Sequence, residues 1–159
     1  MEKMTLIFGR GTSRISKIIL YITRSHYSHV GYIDPVTGLI IESIGGIGVR
    51  ASTIEEFRKR YTEYHIATIS VPSASIARQR MIEQLGKGYD DKAIWGILFR
   101  KDWHDADKWT CSELIAWASQ LFRGDKLHRI TQENLLVMST PASFDFDSIP
   151  SGSVDDLFM

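Results

Sequence analysis

An α+β domain built on an antiparallel sheet is what the residue pattern predicts, and three observations predict it. Ser28-His29-Val30-Gly31-Tyr32-Ile33 and Leu39-Ile40-Ile41-Glu42-Ser43 flank the turn residues Asp34-Pro35-Val36-Thr37, a hairpin signature. Ser13 to Thr23 carries apolar residues at 15, 18, 19 and 22, one face of a helix. Thr110 and Glu113 have the capping-box spacing ahead of the apolar run Leu114-Ile115-Ala116-Trp117-Ala118, so a helix begins at Cys111.

The remaining elements follow along the chain. Thr5 to Phe8 reads as a short strand stopped by Gly9-Arg10-Gly11. After the hairpin, Gly45-Gly46 breaks the second arm and Gly48 to Ala51 supplies a third strand. Ser52 with Glu55 reads as a capping box that opens a short helix to Arg60. Tyr64 to Val71 alternates as a strand. Ser73 or Ser75 caps a helix to Leu85, and Gly86-Lys87-Gly88 ends it. Ala93 to Phe99 reads as a short helix, with a polar loop from Arg100 to Lys108. The cysteine helix extends to Phe122, and Thr131 caps a last one through Val137. Residues 1–138 therefore form one domain. From Ser139 on, Pro, Ser, Gly and four aspartates without a basic residue predict an acidic, poorly ordered tail over 139–159.

Composition narrows the class of molecule. At 159 residues and 43% hydrophobic, the chain has material for one real core. A formal net charge of zero gives no field for nucleic acid. The apolar stretch Ile18-Ile19-Leu20-Tyr21-Ile22 is far shorter than a membrane span. Leu6-Ile7-Phe8 is too short for the core of a signal peptide, which makes a cytoplasmic location the expectation. One cysteine forms no internal disulfide and suits a reducing compartment. No residue pattern sets an oligomeric state.

With Thr110 as N-cap, Cys111 is the first helical residue. Its sulfur then lies where unpaired N–H groups and the helix dipole favour an anion, which lowers a thiol's pKa. A thiolate nucleophile needs a base, and five histidines are available at 26, 29, 65, 104 and 128. His29 is the best placed, because a four-residue hairpin loop pairs Ile33 with Gly38, Gly31 with Ile40 and His29 with Glu42. A carboxylate opposite the imidazole fixes its tautomer and orientation. Glu42 sits amid Leu39-Ile40-Ile41, where an unpaired carboxylate is costly. His26 faces away from His29, His104 and His128 fall in polar loops, and His65 has no acid opposite.

These residues carry a resemblance. Tyr27-Ser28-His29-Val30-Gly31, Ile41-Glu42-Ser43, Gly88-Tyr89-Asp90 and Cys111-Ser112-Glu113-Leu114 resemble the permuted papain-like cysteine hydrolases, the YiiX-like branch of the NlpC-type amidase superfamily. The histidine precedes the cysteine, as in the permuted branch. The likeness spans residues 5 to 138 and implies Cys111 as nucleophile, His29 as general base and acid, and Glu42 as orienting residue. It also implies Tyr89 in the site lining, and Thr110 and Ser112 are expected to line it with Tyr89. Asp105-Ala106-Asp107 departs from the family pattern beside the cysteine.

The resemblance implies a cofactor-free amide hydrolase acting on a peptide, peptidoglycan-fragment or acyl substrate through an acyl-enzyme. Cell-wall material would have to be reached with the help of another factor. Two alternatives keep the fold: a lipid-directed acyltransferase or thioesterase, and a non-catalytic binding or assembly scaffold. A metal site from His26, His29, Glu42 and Cys111 lacks the close-paired spacing of zinc ligands.

Overall fold

The computed structural model describes residues 1–92, 107–123, 126–149 and 152–159. The expected helix over 93–99 and most of the loop after it, with His104 and Asp105-Ala106, lie outside the described residues. The rest is an α+β structure around a six-stranded antiparallel sheet. Strand β1 (Glu2–Arg10) is flanked by β2 (His29–Ile33) and β5 (Glu63–Val71). Strands β3 (Ile40–Ile44) and β4 (Gly48–Ser52) extend the sheet beyond β2. A parallel pair, β6 (Gly88–Tyr89) with β7 (Lys108–Trp109), stands apart, and β8 (Thr140–Pro141) edges β5.

The α-helices described over their whole length are α1 (Arg14–Thr23), α2 (Ile54–Arg60), α3 (Ala74–Glu83), α4 (Cys111–Ser119) and α5 (Gln132–Val137). The sheet is covered on both faces. Phe8, Val30, Tyr32, Ile41 and Ile69 pack with Leu114, Ile115 and Ala118 of α4. Their neighbours in the alternation, Ile7, Ile33 and Ile40, pack with Ile54 and Phe57 of α2. Every residue of β2 and β3 is buried for that reason, charged ones included.

Three local expectations shift. Gly9 does not stop β1; it pairs with His29 and Tyr64, and the strand runs on to Arg10. The α2 capping box is Thr53 with Glu56, one residue later than Ser52 with Glu55. The hairpin loop is two residues longer than four, so Ile33 pairs with Ile40 instead of Gly38. Asp34 explains the longer loop. Its buried carboxylate accepts from the Thr37 N–H, the Thr37 hydroxyl and the Arg78 guanidinium, while Gly38 takes a φ of +72°. The register therefore slips by two, which places Glu42 beside Gly31 and keeps its face unchanged.

The acidic segment expected to be poorly ordered packs against the body in its described part. Thr140–Pro141 joins the sheet, and Phe144 and Phe146 cover the α2-side core. Leu157 is 2% exposed within the α4-side core. Phe144, Phe146 and Leu157 outweigh the polar composition around them. Among the described residues no helix is long and apolar enough to cross a membrane. Leu157→Ala is expected to lower stability by about 2–5 kcal/mol in urea unfolding; a change below about 0.5 kcal/mol would show the segment to be detached in solution.

Candidate active site

The cysteine helix begins as its residues require. Thr110 Oγ1 accepts from the Glu113 N–H at 3.2 Å, and the Glu113 carboxylate returns a bond to the Thr110 N–H. The preceding β7 is tethered to the sheet, because the Ser43 hydroxyl donates to the Trp109 carbonyl at 2.6 Å. Cys111 is thereby fixed at the first helical position, buried, and close to the start of β2. The Val30 N–H and the Gln132 side-chain amide both donate to its sulfur, the latter at 3.2 Å.

His29 is the first residue of β2, and two glycines make room around it. Its ring Nε2 lies 2.7 Å from Glu42 Oε2. A carboxylate only accepts, so Nε2 carries the hydrogen and Nδ1 is left to meet the Cys111 thiol, its other hydrogen-bond partner. Glu42 reaches diagonally from its register position opposite Gly31. A Cβ on Gly31 would stand 2.7 Å from Ile40 Cγ2 and 3.3 Å from Glu42 Cβ. Gly9, opposite His29, plays the same part for Tyr61, whose ring stacks on the imidazole at 4.9 Å and 8°. Sequence reasoning placed the histidine and glutamate in direct opposition; the glycine between them makes the diagonal contact possible.

Glu42 is 1% exposed and keeps both oxygens bonded. Besides His29, it accepts from the Ser52 hydroxyl at 2.9 Å and from the Arg60 guanidinium. Ser52 is free to do so because Thr53 caps α2. Arg60 ends that helix, whose acids lie in the first turn and bases in the last, as the dipole favours. Ser52, Arg60, Tyr61 and Gln132 were missed by sequence reasoning. Only the α2 capping box carried a signal for any of them, and it was read one residue early.

The other expected lining residues divide. Tyr89 is brought beside Trp109 by the parallel β6–β7 pair and lines a cavity with His29 and Tyr61. The residues that line that cavity include none of Thr110, Cys111 and Ser112. The Thr110 hydroxyl caps α4, and the Ser112 hydroxyl donates to the Ile130 carbonyl at 2.6 Å. His26 turns to Glu63 at 2.8 Å, His65 stacks on Tyr27, and His128 is buried in a short 3₁₀ turn instead of a polar loop.

Electrostatics couple the cluster. Burial alone would push the Cys111 thiol up. The His29 hydrogen bond and charge, with the donors from Val30 and Gln132, outweigh burial and hold the thiol below its ordinary value. Burial would lower His29, but Cys111 and Glu42 push it up to about 9. Glu42 is likewise disfavoured by burial, and His29 and Arg60 hold it below the usual carboxylate range. Burial pushes the Tyr89 phenol well up, with the Cys111 charge adding to it. A thiolate–imidazolium pair braced by a carboxylate is the state these shifts favour.

The fold and this gathering of cysteine, histidine and glutamate define an α+β protein with a candidate thiol centre. No protein-family model matches the chain, and no curated protein matches it. Among solved structures it is similar to the metalloprotein YiiX of Escherichia coli O157:H7, at 17% identity and a TM-score of 0.66. The match covers 91% of this chain and 97% of that one, and it shows a YiiX-like fold. The donor set of the described residues does not fit a metal centre. Among the described residues no three His, Cys, Asp or Glu side chains gather as ligands, His26 is directed to Glu63, and both Glu42 oxygens are engaged.

Gly31→Ala is expected to displace Glu42 and cost about 1–3 kcal/mol in urea unfolding; wild-type stability would mean that the diagonal contact tolerates a methyl group. The Ser28 carbonyl accepts from Gln132 Nε2 at 3.1 Å, which fixes the amide orientation and keeps a donor on the sulfur. Gln132→Leu is expected to raise the thiol's alkylation midpoint by about one pH unit, since a bond to a charged group is worth about 1.5–3 kcal/mol. An unmoved midpoint would assign Gln132 to packing alone.

Proposed function

We propose that this chain is a cysteine-dependent hydrolase of an amide bond, a permuted papain-like enzyme with Cys111 as nucleophile, His29 as base and acid, and Glu42 as orienting residue. One observation carries the reading: His29 has Glu42 on one ring nitrogen and Cys111 as its other partner, with the sulfur at the start of a capped helix. The resemblance supplies the substrate class, a peptide or peptidoglycan stem.

The chemistry follows from the groups. The Cys111 thiolate adds to the carbonyl carbon, and the oxygen becomes an oxyanion. The Cys111 N–H, which has no intrahelical acceptor at that position, donates to it, with the Tyr89 hydroxyl as second donor. The His29 imidazolium gives its proton to the departing amine and leaves an acyl-enzyme. His29 then takes a proton from water, which attacks the thioester and returns the thiol. Glu42 holds the ring and stabilises its charged form throughout.

Iodoacetamide labelling followed by intact mass tests the pair, since the chain has one cysteine. Wild type is expected to label well below an ordinary thiol's pKa of about 8.5. His29→Ala is expected to label about thirtyfold more slowly at neutral pH, the thiolate fraction of such a thiol. The pH dependence has a defined sign. The pKa of His29 is raised from about 6.5 to about 9. Its ion pair therefore stabilises the fold fully below the lower value and is lost as pH rises through the upper one. Labelling that tracks an unperturbed thiol in both proteins would remove the catalytic reading, as would full turnover by Cys111→Ala.

A further inference from the structure

Strand β1 has a neighbour on both sides for only part of its length. Its pairing with β5 runs from Glu2 to Arg10, but its pairing with β2 ends at Leu6 opposite Tyr32. Beyond that point β2 turns away through Asp34-Pro35, where the Asp34 carboxylate is engaged by Thr37 and Arg78. The first turn of α3 stands across the gap. About 240 Å³ remain open there, walled by Met4, Pro35 and Ala74 on the apolar side and by Tyr32, Ser75 and Arg78 on the polar side. The described lining of this pocket shares no residue with the cavity at His29.

Unused donors converge on the space. Tyr32 is 3% exposed, yet among the described residues its hydroxyl has no hydrogen-bond partner, and its oxygen is not sealed from water. Burial and the Asp34 charge push the phenol's pKa up, so it stays protonated and can donate. Arg78 commits Nε and Nη2 to the Asp34 carboxylate, at 2.6 and 3.3 Å, and leaves Nη1 unspent. In the first turn of α3 the Ala74 N–H goes to the Glu2 carboxylate and the Ile76 N–H to Ser73 Oγ. The Ser75 N–H between them has no acceptor among the described residues. A nearly buried phenol without a protein partner marks a place where a polar ligand completes the hydrogen bonding.

We infer that the pocket at the first turn of α3 binds a small carboxylic acid, its carboxylate held by the Tyr32 hydroxyl, Arg78 Nη1 and the Ser75 N–H, and its short aliphatic arm laid against Met4 and Pro35. Three donors answer the lone pairs of one carboxylate, and α3 adds the positive end of its dipole. The chain itself supplies a precedent, since Glu2 already places a carboxylate on the neighbouring Ala74 N–H. The charges around the pocket cancel, Lys3 and Arg78 against Glu2 and Asp34, so a singly charged group fits better than a phosphate dianion. The volume is below the roughly 300 Å³ at which drug-sized sites begin, which limits the ligand to a few heavy atoms. The assignment stands apart from the hydrolase reading, because no residue of this pocket takes part in that chemistry.

Titration of the full chain with butyrate, followed at the Ser75 amide by NMR at fixed pH and ionic strength, tests the site. A saturable shift is expected with butyrate and none with butyramide, which keeps the shape and lacks the charge. Tyr32→Phe keeps the ring and should weaken binding roughly tenfold or more, the effect of losing one hydrogen bond to a charged group. Arg78→Lys keeps a cation for Asp34 and removes Nη1, so it should weaken binding as well. Thermal midpoints near that of wild type will show that the variants fold. Absence of a saturable shift in wild type, an equal response to butyramide, or wild-type affinity in Tyr32→Phe overturns the assignment. Tighter binding of inorganic phosphate than of butyrate would overturn the choice of a carboxylate. Saturating butyrate should leave iodoacetamide labelling of Cys111 unchanged; protection of the thiol would place the acid at the candidate active site and overturn the second pocket.

Discussion

Glu42 carries its charge with no solvent around it, in the middle of a sheet covered on both faces. Left alone there, a carboxylate would cost several kcal/mol and would be protonated instead. Three donors prevent that: His29, Ser52 and Arg60. Each comes from a different part of the chain, so β2, β4 and the end of α2 must all be in place before the charge is tolerable. The site is a condition of the fold as much as a product of it. The imidazole inherits this rigidity, since its Nε2 has one acceptor and its ring stacks on Tyr61 with Phe57 tilted beside it.

Much of this was legible in the residues and some was not, for identifiable reasons. The Thr110–Glu113 box is local, so spacing alone locates Cys111 at a helix start. The His29–Glu42 relation was legible only as a shared face. Its register depends on Asp34, whose side chain builds a longer loop by reaching Arg78, 44 residues away. A slip of two conserves the face, which is why the pairing failed while the contact survived. Ser52 was hidden by a neighbouring threonine with equal right to cap α2. Gln132 could not be read at all: it follows an N-cap threonine, and nothing local ties it to a sulfur 21 residues earlier. In the tail, average composition hides single apolar side chains, so the burial of Leu157 was not legible there.

The thiol poses a problem opposite to that of Glu42. Burial disfavours a thiolate, and a carboxylate in the first turn of the same helix would disfavour it further. Glu113 occupies that turn as the capping-box partner. Burial pushes its carboxyl up to about 7; the Thr110 N–H works against the rise and Asp90 adds to it. Below that pH the box is held by a neutral group, and the helix N-terminus faces the sulfur with little competing charge. Above it the same box is held by a carboxylate, whose charge the Thr110 N–H favours. The upper end of the pH range in which a thiolate and an imidazolium coexist lies at His29. Burial lowers the imidazole's pKa there, but Cys111 and Glu42 push it up to about 9. Both of those partners are buried by the same packing that builds the sheet and α4.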